Sequence, residues 1–362
     1  MIYFVYSLFT LSVALFFSRC DEKTKVFIYF SIVLVISFVI GFRIPEVGTD
    51  TISYINIFSY PGNYREPLFS EFILLLKSFG MTSEYFIFLM TFLNVAILHY
   101  AGYKWNNRNI LILLYFFSST YVLYSFSLNI MRQGIAISIS ILSAYLVYRK
   151  KYLASIFLCL MALVFHSTAV FYMPAVAFVS LLGRDHFPKK IIIFLLALLI
   201  GFYVFPAVNI LEPIVRGYFS GQRILITVLN YLKQIEANPW LTFSSIFAIL
   251  LYFSYWLLCH KVQFSNKLHF LLNYYFVGFV SCTPFVYIHL VYYRLAWYFF
   301  ALEPIIILSL ISELWPRFHH VDRKIKYIIS FLIVVLPFLY LFKTYYITGG
   351  IMREVSFDTI IF

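Results

Sequence analysis

The sequence predicts an all-α polytopic membrane protein of about twelve transmembrane helices, and three observations carry that prediction. Apolar residues make up 63% of the 362 positions, aromatic residues 22% and charged residues only 12%. A soluble domain carries about 25% charge, so half of the usual solvating surface is missing. The mean hydropathy is +0.89, and the apolar residues fall into runs near the roughly 20 residues that cross a bilayer. A water-soluble globular enzyme is excluded. The net charge of +12 does not point to nucleic acid, because the basic residues lie in short clusters between apolar runs, as cationic loops of membrane proteins do.

Taken in order, the spans are Ile2–Ser18, Val26–Phe42, Tyr85–Tyr103, Ile110–Phe126, the shorter Gly134–Tyr148, a pair within Tyr152–Leu182, and then Ile191–Val208, Trp240–Cys259, Phe270–Phe285, Leu295–Leu314 and Tyr327–Tyr346. Tyr152–Leu182 is too long for one crossing, and strongly basic flanks at both ends predict a tight pair turning at Phe165-His166-Ser167. The first segment lacks a positive n-region and a small-residue cleavage site, so it reads as a retained helix. Residues 1–346 are expected to form one transmembrane domain, followed by a 347–362 tail.

Lys/Arg bias sets the direction. One set of loops carries 17 basic residues and the other 10, which places the first set in the cytoplasm and both termini outside. A second asymmetry lies beneath the first: 6 of the 17 inner cations are Arg, against 7 of the 10 outer ones. Lysine suffices as a positive-inside charge, whereas arginine offers a rigid fork to phosphate oxygens. An outer face poor in cations yet rich in arginine points to an anionic ligand there.

Two outer loops are long. Residues 43–84 contain a helix-like stretch, Pro67–Phe79, opened by proline and stopped at Gly80. Its apolar positions Leu68, Phe69, Phe72, Ile73, Leu75, Leu76 and Phe79 predict a helix lying in the interface. Residues 209–239 hold a second such helix, Gly221–Glu236. The inner loops are short, so the chemistry should face outward.

Four constellations could carry that chemistry. After the second span, Arg43-Ile-Pro-Glu-Val-Gly-Thr-Asp50-Thr-Ile-Ser-Tyr54 turns the chain at Pro45 and Gly48. Arg43 can neutralise a phosphate and Asp50 can accept a proton; equally, the segment fits a capped turn with Arg43 snorkelling and Asp50 or Thr49 capping a helix. Between spans four and five, Asn129, Arg132 and Gln133 cluster on consecutive helical turns. Polar density at a membrane edge is expensive unless it lines an occupied cavity or forms a buried network. His166, at the hairpin turn, fits a base, a phosphate holder or a hydrogen-bonded core residue. Tyr292-Tyr293-Arg294-Leu-Ala-Trp297-Tyr298 fits an interface belt or a sugar-phosphate site, and Glu303, about 13 Å further along the same helix, would lie inside the hydrocarbon. There is no P-loop, HExxH, acidic pair or His/Cys spacing for a metal, and Cys20, Cys159, Cys259 and Cys282 are scattered without a disulfide framework. No cofactor or metal is expected.

The run Val47-Gly48-Thr49-Asp50-Thr51…Tyr54, then Arg132-Gln133-Gly134-Ile135-Ala136, Phe165-His166-Ser167-Thr168-Ala169 and Tyr293-Arg294-Leu295 resembles the EpsG family of Wzy-like polymerases of O-antigen, capsule and exopolysaccharide, from about Phe42 to Trp297. The resemblance implies a GT-C-like glycosyltransferase of the bacterial plasma (inner) membrane. It would work without metal at the periplasmic side, joining undecaprenyl-diphosphate-linked glycans, with a chain-length regulator as a candidate protein partner. For that chemistry the mechanism expected here assigns roles: Asp50 as base ahead of His166, because an outward carboxylate is already anionic; Arg132 and Arg294, then Arg43, Arg216 and Arg223, on the diphosphate, whose developing charge needs preplaced cations; Asn129, Gln133, Tyr54, Tyr293, Trp297 and Glu303 on the substrate. The rival readings are a lipid-linked oligosaccharide flippase, which should show two related halves, an O-antigen ligase, which shares the chemistry, and a membrane acyltransferase.

Overall fold

The computed structural model describes residues 2–48, 50–63, 67–107, 109–182, 185, 187–205, 243–259, 262–316 and 335. All the elements described are helical: α1 (Ile2–Phe16), α2 (Glu22–Gly41), α3 (Thr51–Ser59), α4 (Pro67–Ser78), α5 (Ser83–Trp105), α6 (Ile110–Ser118), α7 (Tyr121–Leu128), α8 (Met131–Tyr148), α9 (Tyr152–Phe165), α10 (Tyr172–Leu182), α11 (Lys189–Val204), α12 (Phe243–Cys259), α13 (Asn266–Cys282), α14 (His289–Phe300) and α15 (Glu303–Leu314), with single 3₁₀ turns at Pro61–Asn63, Ser167–Phe171 and Thr283–Phe285. In this numbering, helices fall on every expected span except Tyr327–Tyr346, which lies outside the described residues, as does the interfacial helix Gly221–Glu236. By length and composition, four of the described helices can cross a membrane (α2, α5, α8 and the run Val291–Leu314), or five if the bent pair α6–α7 is one span.

Polarity runs inside out relative to a soluble protein. The outer faces of α1, α2 and α9 present Phe16, Phe27, Val35, Leu153 and Phe157, all more than half exposed. The polar residues of α5 and α8 turn inward instead: Thr91, Asn94, His99, Ser138, Ser140 and Ser143 are buried. Hydrocarbon offers no partner to a hydroxyl or amide, so such groups pair within the protein. Ser138 donates to Asn94 Oδ1 at 3.2 Å, Tyr29 pairs with His99 Nδ1 at 2.8 Å, and the Ser143 and Ser155 hydroxyls pair at 2.7 Å. With those pairs made, the exposed apolar faces are surfaces for lipid.

One expected span is sharply bent, and another is interrupted by a turn. Ile110–Phe126 becomes α6 and α7, bent by 63°. The cause is the run Ser118-Ser119-Thr120: the Ser118 hydroxyl donates to Tyr115 O and that of Thr120 to Phe117 O, a local competition with the helix ladder. Leu295–Leu314 carries a two-residue turn at Ala301-Leu302, because Pro304 has no N–H to return to the carbonyl four residues earlier, and Val291–Leu314 still qualifies as one span.

The chain gathers into two compact units. The first comprises Met1–Leu146, Lys151–Ala169 and Ile307–Phe362; the second comprises Val147–Lys150 and Val170–Ile306. In the first, α2 packs along α5, α1 along α6, and α3 and α7 against α5. In the second, α13 packs against α10, α12 and α14. The approach of α13 to α14 is close enough that a Cβ at Gly278 would sit 1.9 Å from the Phe299 ring.

Candidate functional site

In the first unit the turn after α2 is built around Arg43. Only 8% of this arginine is exposed. Its Nε–H is shared between Val47 O and Thr51 Oγ1, each at 3.1 Å. One Nη donates to Ile40 O at 2.9 Å and Thr91 Oγ1 at 3.1 Å, and the other to Met131 Sδ at 3.3 Å. Expected either to neutralise a phosphate or to snorkel, Arg43 instead turns its guanidinium into the protein and buckles α2, α3, α5 and α8 together. Gly48 completes the turn for two reasons: its φ is +90°, and a Cβ there would lie 2.4 Å from Leu128 O. That contact seats the turn against the end of α7, one residue before Asn129.

Asp50 opens α3, with its carbonyl accepting from Tyr54 N–H at 2.9 Å. Its side chain makes no capping hydrogen bond, which removes the capped-turn reading for this carboxylate; Thr49 lies outside the described residues. Four residues on, Tyr54 is 6% exposed, and its phenol oxygen accepts the Arg132 backbone N–H at 3.2 Å. Arg132 is the second residue of α8, so this N–H is one of the orphan donors at a helix start, and a phenol from another helix supplies the acceptor. Burial lifts the Tyr54 phenol above its ordinary range; the Arg132 charge pulls it partly back, while the Asp50 charge pushes it up. Asp50, Tyr54 and Arg132 therefore share one electrostatic neighbourhood.

Asn129 and Gln133 are buried, but they do not share a helix with common turns. Asn129 ends α7, where Ser125 O receives the N–H groups of both Asn129 and Ile130 at 3.1 and 3.0 Å, and α8 begins anew at Met131. The junction is tight: a Cβ at Gly134 would lie 2.5 Å from Asn94 Nδ2 and 2.6 Å from Phe126 Cβ.

His166 ends α9 and is half-buried. Its Nδ1 faces the Thr168 backbone N–H at 3.3 Å and the Thr168 hydroxyl at 2.7 Å. A backbone N–H only donates, so Nδ1 accepts and the neutral ring carries its proton on Nε2. Such an imidazole presents a donor, which suits a phosphate or sugar oxygen better than proton abstraction. Phe165 packs on Phe69 and Phe72, with centroids 6.5 and 5.6 Å apart, and the Arg132 guanidinium carbon lies 5.0 Å over the Phe69 ring. One aromatic cluster thus joins the arginine to the histidine segment.

In the second unit α14 carries Tyr293, half-buried Arg294 and Trp297. Tyr293 and Trp297 meet edge to face at 5.4 Å, Tyr292 pairs with Ser245 at 2.7 Å, and Tyr298 stacks on Tyr172 at 5.9 Å. Glu303 follows a two-residue turn within the run Val291–Leu314 that also carries Arg294, and it accepts from the Tyr275 hydroxyl at 2.8 Å. Arg216 and Arg223 lie outside the described residues. Among the described residues no three His, Cys, Asp or Glu side chains gather as metal ligands.

Sequence reasoning gave no individual role to Thr91, Met131, Phe69 or Thr168. Thr91 left a trace, as the first of the polar residues Thr91, Asn94 and His99 inside an apolar span, where polar side chains must find internal partners. Phe69 left none, being one phenylalanine among 43.

A family model described as the EpsG family matches residues 26–355, nearly the whole chain. No curated protein and no solved structure matches it.

Proposed function

The chain belongs to the EpsG family, and on that premise we propose that it polymerises undecaprenyl-diphosphate-linked oligosaccharide repeat units at the outer leaflet of the bacterial plasma membrane. The family suggests a membrane protein of the polysaccharide-polymerase kind; the lipid carrier, the outward-facing site, the twelve crossings and the GT-C-like layout are our reading. In it, an acceptor sugar hydroxyl gives its proton to Asp50 as its oxygen bonds to the anomeric carbon of the donor glycan. The anomeric C–O bond breaks, and undecaprenyl diphosphate leaves with the electron pair. The leaving group is already a weak base, so it needs preplaced cations and not a proton. Arg132 supplies the first of these, while Arg294, Arg216 and Arg223 keep the diphosphate role expected of outward-facing arginines. His166 donates from Nε2 to a phosphate or acceptor oxygen, and Asn129, Gln133, Tyr293 and Trp297 keep their expected role of contacting the glycan. Arg43 and Tyr54 act through others: one holds the turn that carries Asp50, the other the backbone that carries Arg132. Glu303, bonded to Tyr275, takes no part in the step.

One observation carries this reading. The Asp50 carboxylate, which does not cap α3, lies in the same neighbourhood as an arginine whose helix start is fixed by Tyr54. The test is a deletion strain, in which single repeat units should accumulate on lipid at the outer leaflet; accumulation at the inner leaflet would mean a flippase. Arg132, Arg294, Asp50 and His166 are then changed one at a time to Ala. If three of the four stably expressed variants still made full-length polymer, the residue assignment would be wrong.

A further inference from the structure

We propose that the groove between the first turns of α2 and the end of α5 binds one phospholipid whose headgroup carries both a phosphate and a primary ammonium, as phosphatidylethanolamine does. An acyl chain of the lipid runs along Phe27, Phe30 and Leu34, its phosphate meets Lys23 and its ammonium meets Glu22.

The groove follows from the helix repeat. Lys23, Phe27, Phe30 and Leu34 succeed one another at steps of four, three and four residues, with Glu22 beside Lys23, so they form one stripe on α2. Another side of the same helix, with Tyr29, Val33, Ile36 and Ser37, is buried, and α2 packs along α5. The stripe and the end of α5 border a groove of about 1210 Å³, whose lining includes Tyr103 and Asn107. Phe30 and Tyr103 meet edge to face at 5.9 Å and join the two helices. Pockets for drug-sized molecules measure about 300–1,000 Å³, so this one suits a larger amphiphile. From Glu22 to Leu34 the helix rises about 18 Å, against about 15 Å for half of a bilayer's hydrocarbon core. With charged groups at one end, and Phe27 and Leu34 74% and 46% exposed beyond them, the groove has the profile of a lipid in one leaflet.

The charges select the headgroup. Glu22 and Lys23 are the charged residues of the lining, one of each sign, so a headgroup bearing only negative charge would set it against a carboxylate. Asp21 is engaged in capping α2, its carboxylate accepting from the Thr24 backbone N–H and hydroxyl. Glu22 lies 3.9 Å from Lys25 Nζ with its side chain 67% exposed. A surface pair of that length contributes little, so an incoming ammonium can replace it. A primary ammonium donates three hydrogen bonds, whereas the quaternary ammonium of phosphatidylcholine donates none. Lys104, held over the Tyr100 and Tyr103 rings at 4.9 and 5.4 Å, brings a second cation beside the Tyr103 wall. A lipid seated there covers the seam between α2 and α5, about 30 Å along α2 from the Arg43 turn.

The experiment uses the full chain, purified in detergent, and reads by native mass spectrometry its binding of phosphatidylethanolamine, phosphatidylcholine and phosphatidylglycerol with identical acyl chains. Phosphatidylethanolamine should bind about two- to fivefold tighter than either of the others. Glu22→Gln should remove that preference, and Lys23→Gln should weaken phosphatidylethanolamine binding by about fivefold. Leu34→Trp, which narrows the chain's course, should weaken all three lipids; should that variant fail to fold, the two charge variants still decide. Phosphatidylcholine or phosphatidylglycerol binding as tightly as phosphatidylethanolamine would overturn the site. So would a preference that survives Glu22→Gln, an affinity unmoved by Lys23→Gln, or a folded Leu34→Trp protein that binds as wild type does.

Discussion

Exchanging Arg43 for lysine tests whether this arginine is framework or ligand. The three guanidinium nitrogens make five contacts, on two sides of the group. A lysine ammonium is one point with three donors, so it can serve the Val47–Thr51 side or the Ile40–Thr91–Met131 side, and at least two contacts are lost. A hydrogen bond to a charged group contributes about 1.5–3 kcal/mol, so two give about 3–6 kcal/mol. The Thr51 hydroxyl continues to donate to Val47 O at 2.6 Å, keeping that carbonyl satisfied and moving the expectation to the lower end, about 3 kcal/mol. Unfolding of the purified protein by SDS, followed by tryptophan fluorescence, should show this loss. Folded Arg43→Lys protein should still bind undecaprenyl diphosphate within a few-fold of wild type. Arg132→Lys should do the reverse, keeping stability and losing binding, since the fork and not the charge is what it removes. A stable Arg43→Lys protein that no longer binds the diphosphate would refute the reasoning and return Arg43 to the ligand.

Other outcomes follow from the same geometry. Tyr54→Phe leaves the Arg132 N–H without its phenol acceptor, and the same SDS titration should show a loss of about 1–3 kcal/mol together with less polymer; an unchanged midpoint contradicts the cap. Gly48→Ala must hold an L-residue at φ +90°, costing about 1–2 kcal/mol from the backbone alone, and must also displace Leu128 O. Shortened polymer on a carbohydrate-stained gel is expected, and full-length chains would show that the turn does not need glycine. Asp50→Asn should abolish polymer at normal expression, whereas His166→Gln, which keeps a side-chain donor, should retain part of it; the opposite order would transfer the base to His166. Thr168→Val, which removes the hydroxyl on Nδ1 but leaves the backbone N–H there, should lower activity less than His166→Ala, and the in-vitro rate with lipid-linked repeat units would read this directly.

How much of the site was legible depends on how far each signal reaches along the chain. Pro67 and Gly80 mark the ends of α4 by local rules, and the helix runs Pro67–Ser78. The end of α9 at Phe165, before His166, is likewise where strongly basic flanks require the apolar run to be divided. The break in α6–α7 was written as Ser118-Ser119-Thr120, three hydroxyls able to bond back to their own turn, yet hydropathy averages over them. Pro304 likewise marks a two-residue turn at Ala301-Leu302, although the run Val291–Leu314 still qualifies as one span. Asn129 and Arg132 were put on shared helical turns because three-residue spacing assumes an unbroken helix, and the junction at Ile130 is imposed by packing against Asn94 and Phe126.

The sequence by itself determined that the chain lives in a bilayer and where most of its helices begin and end. These are properties of composition and of contiguous runs, and water and lipid read them without reference to the rest of the fold. Only the tertiary structure decided which arginine is turned inward and which lies over a ring. Arg43 and Arg132 are chemically identical, and their difference comes from Thr91, Met131, Tyr54 and Phe69, partners that reach them across other helices. A side chain's role follows from what its donors meet, and those meetings are made by packing between segments distant in sequence.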